Sequence, residues 1–355
     1  MVTQSNDGVR LPARRTDSEA ALRDRLLRVV AACRHRTVLV VGDLIADEFI
    51  YGDVSRVSRE APVLILKYDT TQVIAGGAGN AANNVAALGA RAALAGLVGT
   101  DHEGRRLLAS FPRRVDRSRI VRSGRYQTPV KTRILAGGTH SAKQQVVRID
   151  RETDWPLSPE VAAAFAAHLL AALDGCDAVI LSDYGSGLIT PALAADLRAV
   201  LVRAGRGTVP VLLDSRYRLL DYRGMTACTP NESEVEQALG ISIGDDLDAL
   251  ERAGRAVLRR TGSGAVLVTR GSRGMALFEP KRKTVHVPIF GSDEVADVTG
   301  AGDTVIATCA LALAAGARFD EAARLANYAG GLVVMKRGTA TVSARELSDA
   351  IRHEH

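Results

Sequence analysis

Two rhythms of apolar and polar positions run through this chain. After residue 150, segments with helical spacing alternate with short apolar runs bounded by turn residues. The spacing predicts helices over Pro159–Leu173, Pro191–Ala204, Asn231–Leu239, Leu247–Arg260, Ala301–Ala315 and Phe319–Val334. It predicts strands over Ala178–Ser182, Val209–Asp214, Ala265–Thr269, Gly274–Phe278 and Thr284–Pro288. Nearer the start, Ser18–Arg34 carries Leu22, Leu26, Val29 and Val30 on one helical face. Thr37–Asp43 then reads as a buried strand ending in a turn, and Gly79–Leu88 and Arg91–Val98 as a further helix and strand. Residues 1–17 are polar and aperiodic, and read as a flexible tail. Alternating buried strands and helices predict an α/β fold, a doubly wound, mostly parallel sheet with helices on both faces, over one domain of residues 18–352.

The second rhythm is a period of two. It occupies residues 49–75 and again 120–150, including Pro129–Leu135 and Gln144–Asp150. Two separated strand-rich insertions predict one small β lid over the main sheet. Ligands in a doubly wound fold bind beyond the carboxyl ends of the strands. Asp43, Asp183, Asp214 and Asn231 all fall there.

Composition narrows the classes. Apolar residues make up 46% of 355, normal for a globular protein, while aromatics are only 4%, so Ala, Val and Leu must build the core. No apolar run is long enough for a membrane span and no signal-peptide pattern opens the chain. Cys33, Cys176, Cys228 and Cys309 show no paired spacing and sit in or beside apolar runs, so buried free thiols and a cytoplasmic location are expected. The seven histidines form no zinc pattern. The net charge of +6 reads as scattered arginines, without the dense block or aromatic interleaving of a nucleic-acid binder. A cleft for phosphorylated small molecules is the better use of that charge.

The densest chemistry is Asp297-Val298-Thr299-Gly300-Ala301-Gly302-Asp303-Thr304, which opens the apolar run Val305–Ala315. The small residues Gly300, Ala301 and Gly302 leave a helix start open to an anion. Asp303 stands in the same turn, and a base beside an anion hole suits phosphoryl transfer to an alcohol. Gly76-Gly77-Ala78-Gly79-Asn80 lets backbone and an amide approach a polyhydroxy ligand. Asp43 and Asp47 follow the first strand, as sugar-hydroxyl acceptors or as turn residues. Asn231 and Glu234 suit a capping box and also a water-mediated Mg²⁺ site. Thr269-Arg270-Gly271-Ser272-Arg273-Gly274 reads as a hairpin turn or a nucleotide-side loop. There is no GxxxxGK[ST] loop, which excludes a P-loop kinase.

The octapeptide resembles the C-terminal signature of the ribokinase (PfkB) family of sugar kinases, and Gly76–Val85 resembles its N-terminal signature. The resemblance covers roughly residues 35–350 and implies a ribokinase-like fold, ATP as donor and Mg²⁺. It implies Asp303 as base and Asp47 on the sugar. It also implies Asn231 and Glu234 near Mg²⁺, Asn327 beside adenine with Thr269, Arg270, Gly271 and Gly274, and a K⁺-type site near Asp297 and Thr299. Ser55–Val63, Lys131-Thr132-Arg133, Gln144–Asp150, Leu181–Tyr184 and Gly338–Ser343 look closest to the heptose 7-phosphate kinases. That implies phosphorylation of an anomeric hydroxyl, with Lys131, Arg133 and Arg148 on the substrate phosphate and Asp183 on the sugar. The chain departs from the family at Arg59, at Gly185-Ser186-Gly187 and at Asp214-Ser215-Arg216, and it shows no HxGH motif. A separate nucleotidyltransferase is therefore the expected pathway partner, with a homodimer through the lid and no nucleic acid or membrane partner. A kinase for another sugar or sugar acid, or a sugar-binding regulator without catalysis, are the competing readings.

Overall fold

The computed structural model describes residues 14–137, 143–152, 158–291, 297–336 and 338–353. Helix α1 (Arg14–Cys33) precedes β1 (Thr37–Gly42), β2 (Leu44–Val57), β3 (Leu64–Gly77), α2 (Ala78–Ala87), β4 (Arg91–Gly99), α3 (His102–Ser110) and β5 (Val115–Ser123). Next come β6 (Val130–Gly137), β7 (Gln144–Arg151), α4 (Pro159–Ala172), β8 (Ala178–Asp183), α5 (Pro191–Arg203), β9 (Val211–Ser215) and β10 (Ala227–Cys228). The chain continues through α6 (Glu232–Leu239), α7 (Leu247–Thr261), β11 (Ala265–Thr269), β12 (Met275–Phe278) and β13 (Val285–Val287). It closes with α8 (Ala301–Ala314), α9 (Phe319–Val334) and α10 (Ala344–His353).

Nine strands form the main sheet in the order β13-β12-β11-β10-β9-β8-β1-β4-β5. From β5 to β11 every pairing is parallel; β12 runs antiparallel to its neighbours β11 and β13. The central strands read as continuous apolar runs because both faces are covered. One core lies under α1, α2, α8, α9 and α10, and a second under α4, α5, α6 and α7. Small residues let helices sit close: Gly254 of α7 faces the buried ring of Phe278 in β12. All four cysteines are buried free thiols, as expected.

The lid is a second sheet, ordered β3-β2-β6-β7. β2 leaves the main body immediately after β1, buried at Leu44–Ala46 and exposed at its far end. At about 3.3 Å per residue it spans roughly 45 Å. β3 and β7 pair antiparallel with their neighbours, while β2 and β6 run parallel.

Several expectations are corrected here. The first helix begins at Arg14, inside the segment read as a tail; residues 1–13 lie outside the described set. The lid starts at Leu44 rather than residue 49, and β5 belongs to the main sheet, so the second insertion starts only at Val130. Helices α3 and α10 carry short apolar faces that the spacing did not single out; Leu347 and Ile351 bury α10. The arginines are also less scattered than read: eight lie between residues 105 and 125, with one aspartate, on and beside edge strand β5. Charge on an edge strand opposes pairing with another sheet.

A Cβ at position 254 would come within 2.3 Å of the Phe278 ring. Overpacking of this kind costs about 1–3 kcal/mol, partly offset by about 1 kcal/mol of better helix propensity. Gly254→Ala should therefore lower the urea midpoint, and an unchanged or raised midpoint would show that α7 is free to yield.

Candidate active site

Parallel strands deliver their carboxyl ends to one place. β1 gives way to Asp43, β8 ends at Asp183, and β9 carries Asp214 and Ser215. Gly42 permits this convergence, since a Cβ there would stand 2.1 Å from the Ser182 carbonyl oxygen. Above these ends lies a cavity of about 450 Å³ whose lining includes Asp47, Lys131, Tyr184, Asp214, Gly302 and Asp303.

Helix α8 starts at this cavity. Gly300 caps it in the left-handed conformation, φ 79°, which a glycine tolerates without strain. The Ala301 N–H donates to the Val298 carbonyl at 3.2 Å, so the amides of Gly302 and Asp303 are the ones this turn offers to an anion. The Asp303 side chain is buried and held on both oxygens. Asn80 Nδ2 donates to Oδ2 at 2.9 Å, and the Tyr184 hydroxyl donates to Oδ1 at 3.1 Å. Asn80 is itself oriented by Asn84, whose Nδ2 donates to Asn80 Oδ1 at 3.2 Å. Thr304 Oγ1 donates to Asn84 Oδ1 at 3.1 Å. The network thus stitches α2 to α8. Burial pushes the Asp303 carboxyl up to about 7; the two donated hydrogen bonds pull the other way. A carboxyl so placed accepts a proton near neutral pH.

Asp214 and Glu234 form an acidic wall of the same cavity. The Asp214 carboxyl is raised well above its usual range by burial first, then by Glu234 and Asp303. Burial likewise raises Glu234. Asn231 and Glu234 form a complete capping box, with 2.8 Å bonds in both directions, while both still line the cavity. A raised pair of half-buried carboxylates facing one space is a fit for a divalent cation with oxygen ligands.

Positive charge reaches the same cavity. Lys131 and Arg148 come from the lid and Arg216 follows β9; all three line both this cavity and an adjoining one of about 270 Å³. Burial lowers the Lys131 ammonium, and Arg216 and Arg148 lower it further. Mutual repulsion among cations is relieved by an anion between them. Arg148 also pairs with Asp150 at 2.5 Å.

A smaller cavity of about 180 Å³, mostly apolar, meets the first at Thr269, Val298, Ala301 and Gly302. Gly271, Gly274 and Asn327 line it. Asn327 Nδ2 donates to the Pro288 carbonyl at 2.8 Å. Asp297 accepts from the Thr299 amide at 2.9 Å and the Gly338 amide at 3.1 Å, tying the approach to α8 to the segment after α9.

Some sequence-read residues take other positions. Asn80 points at Asp303, not into the sugar space. Asp183 accepts from Ser215, Tyr222 and the Gly185 amide and lines neither large cavity. Arg133 donates to Asp47 at 2.6 Å, so the pair expected with Lys131 is split between two tasks. Arg270 is buried against Glu232 at 2.7 Å, away from the small cavity. Gly76 makes room for Asp47, since a Cβ would meet its Oδ2 at 2.4 Å, and Gly77 lines the cavity. Asp43 holds the Tyr184 and Ser186 amides at 2.7 and 3.3 Å. Asp214 was expected only as a residue at the ligand-binding strand ends, and Tyr184, Arg216 and Asn84 had no individual role in the sequence. Two asparagines four apart on an apolar helix were the available signal for Asn84. The end of the apolar β9 run was the signal for Asp214 and Arg216.

Residues 36–346 match the family described as pfkB family carbohydrate kinase. The chain is 41% identical over 324 residues to the bifunctional protein HldE of Pelobacter propionicus, covering 91% of this chain and 64% of that protein. It is 43% identical over 337 residues to that of Caulobacter sp., covering 94% and 66%. The chain thus spans a little under two thirds of the length of these relatives. Among solved structures, Arabidopsis thaliana ribokinase complexed with ribose and ATP aligns with a TM-score of 0.67 at 21% identity, over 90% of this chain and 99% of that one. Escherichia coli phosphofructokinase-2 in complex with potassium aligns with a TM-score of 0.72 at 16% identity, over 90% and 98%. These two share the fold.

The raised Asp303 carboxyl has a consequence for stability. Its folded value, about 7, exceeds the unfolded value near 3.8, so the folded state binds the proton more tightly. The stabilisation is complete below the unfolded value and lost as pH rises through about 7. Asp303→Asn removes this dependence. The variant's stability relative to the parent should improve by about 2–3 kcal/mol between pH 5 and pH 8. A gap that stays constant in urea titrations across that range would contradict the buried-acid assignment.

Proposed function

The chain belongs to the pfkB family of carbohydrate kinases, and from that premise we propose that it phosphorylates the anomeric hydroxyl of D-glycero-D-manno-heptose 7-phosphate with ATP. One observation carries the substrate choice. The cation group Lys131, Arg148 and Arg216 surrounds a cavity that adjoins the Asp303 cavity, so a sugar phosphate has a grip for its phosphate at one end and a base for its hydroxyl at the other. The HldE relatives favour a heptose substrate over other sugars. Arg216 keeps a positive charge where the family usually has lysine, which offsets that departure. Ser186 instead folds back to donate to Asp43, and this favours the second reading, a kinase for another sugar or sugar acid.

In the proposed reaction the sugar hydroxyl gives its proton to Asp303. Its oxygen bonds to the γ-phosphorus as the bond to the β-phosphate oxygen breaks, and ADP leaves. The amides of Gly302 and Asp303, with the positive end of α8, stabilise charge on the moving phosphoryl group. Asp47, held by Arg133, orients the sugar. Thr269, Gly271, Gly274 and Asn327, which line the smaller, mostly apolar cavity, would take the adenine. Asp214, Glu234 and Asn231 would hold Mg²⁺, which neutralises triphosphate charge. A K⁺-type ion would sit at carbonyls near Asp297 and Thr299, as suggested by the potassium-bound neighbour. Exposed apolar residues of the lid, among them Val57, Tyr68, Val147 and Ile149, suit a second copy of the chain, and light scattering at twice the monomer mass would support that dimer.

Heptose 7-phosphate should exceed the unphosphorylated heptose in kcat/KM by roughly a hundredfold, the worth of two charge-assisted contacts if they add. Lys131→Ala and Arg216→Ala should each erase about a tenfold share of that preference, chiefly through KM. No preference in the parent would move the substrate to the second reading.

Ion dependence tests the rest. Chelation of Mg²⁺ should abolish turnover. Replacing K⁺ by a bulky organic cation should slow it, and equal rates would remove the monovalent site from this proposal.

A further inference from the structure

Tyr184 occupies an unusual place for a residue with no part in the chemistry above. Its hydroxyl lies 3.1 Å from Asp303 Oδ1, while the other base oxygen is taken by Asn80. A phenol is a hydroxyl donor, the same kind of group as the sugar acceptor. Burial first, then Asp303 and Asp214, push its own titration well up, so it stays protonated and donates. Tyr184 lines both the Asp303 cavity and the adjoining one, together with Lys131, Arg148 and Arg216. Lys131 Nζ lies over the Tyr184 ring at 5.4 Å from its centre and the Arg216 guanidinium at 5.9 Å, both within cation–π range. The backbone after it can turn: Gly185 and Gly187 have φ of 92° and 84°.

We propose that Tyr184 is a gate on the base: its hydroxyl stands in for the acceptor hydroxyl at Asp303, and the arriving phosphosugar displaces it. The substrate phosphate competes with the ring for Lys131 and Arg216. Drawing those cations onto the phosphate removes the contacts that hold the ring in place. The substrate's own hydroxyl then takes the vacated position at Oδ1. Until that happens, water is denied the base, and bound ATP is protected from hydrolysis. The gate rests on the kinase reading above and adds to it a reason why a phosphorylated acceptor is demanded.

The test compares the full-length parent with Tyr184→Phe, which keeps the ring and its cation contacts but deletes the hydroxyl. Tyr184→Leu removes both and guards against a single misfolded variant; thermal melts check each fold. Two activities are measured with Mg-ATP: phosphate release without sugar, and phosphorylation of heptose 7-phosphate. The gate predicts that sugar-independent hydrolysis rises roughly ten- to a hundredfold in Tyr184→Phe, the worth of one hydrogen bond to a carboxylate. KM for the sugar should fall, kcat should stay within about threefold, and the acid limb of the kcat/KM profile should move to higher pH, because a bond that favoured the ionised base is gone. Unchanged hydrolysis with a lower kcat would overturn the gate and make Tyr184 a positioning partner of Asp303. Unchanged values throughout would overturn it as well. Failure of the kinase reading would look different: the parent itself would transfer phosphate to no sugar.

Discussion

The burial of one carboxylate at the first turn of α8 organises this molecule. A charge in that position is costly unless donors meet it. Asn80 and Tyr184 are those donors, and each commits a different part of the chain. Asn80 fixes the start of α2, and through Asn84 and Thr304 it fixes α2 against α8. Tyr184 fixes the end of β8, where Asp43 holds its amide. The helices on one face and the strand ends are thus positioned by the requirements of a single acid. The same burial leaves that acid poised to take a proton near neutrality, so the packing and the chemistry share one cause.

Both signs of charge line the space around it. Asp214 and Glu234 stand beside Asn231 in one cavity, while Lys131, Arg148, Arg216 and Tyr184 line that cavity and its neighbour. Pairs that could have cancelled this arrangement are drawn off elsewhere. Arg133 is committed to Asp47 and Arg270 to Glu232, so neither dilutes the acidic wall or crowds the cation group.

The layered architecture was legible because buried parallel strands leave continuous apolar runs, as at Val38–Val41 and Val179–Leu181. Helix α8 was legible from its apolar run, whereas Asp303 stood out through the likeness of the whole octapeptide to a family signature, since small residues alone also make an ordinary helix start. Partner choice among side chains was not. Asp183 and Asp214 both end apolar strands, yet one is turned into a hydroxyl pair and the other faces the cavity. That difference depends on Ser215 and Tyr222 arriving from other strands and loops, which spacing along the chain does not encode. Arg133 and Lys131 share a face of β6 by period-two logic, but β2 places Asp47 beside only one of them in hydrogen-bonding reach. Helix α10 has too few apolar residues per turn to stand out from a loop.

Strand β2 is one unbroken element, anchored in the body at Leu44–Ala46 and, at its far end, exposed and paired only with β3. In mechanical terms it is a cantilever. Its two register irregularities against β3 fall at Tyr51/Gly52 and Val54/Arg56, and bulges are where a strand bends most readily. Both lie beyond Asp47 and Glu48, which Arg133 and Arg106 clamp from neighbouring elements. Load on the outer lid is therefore taken up past the clamp. The tip can flex while the cavity-lining root at Asp47 keeps its alignment with α8.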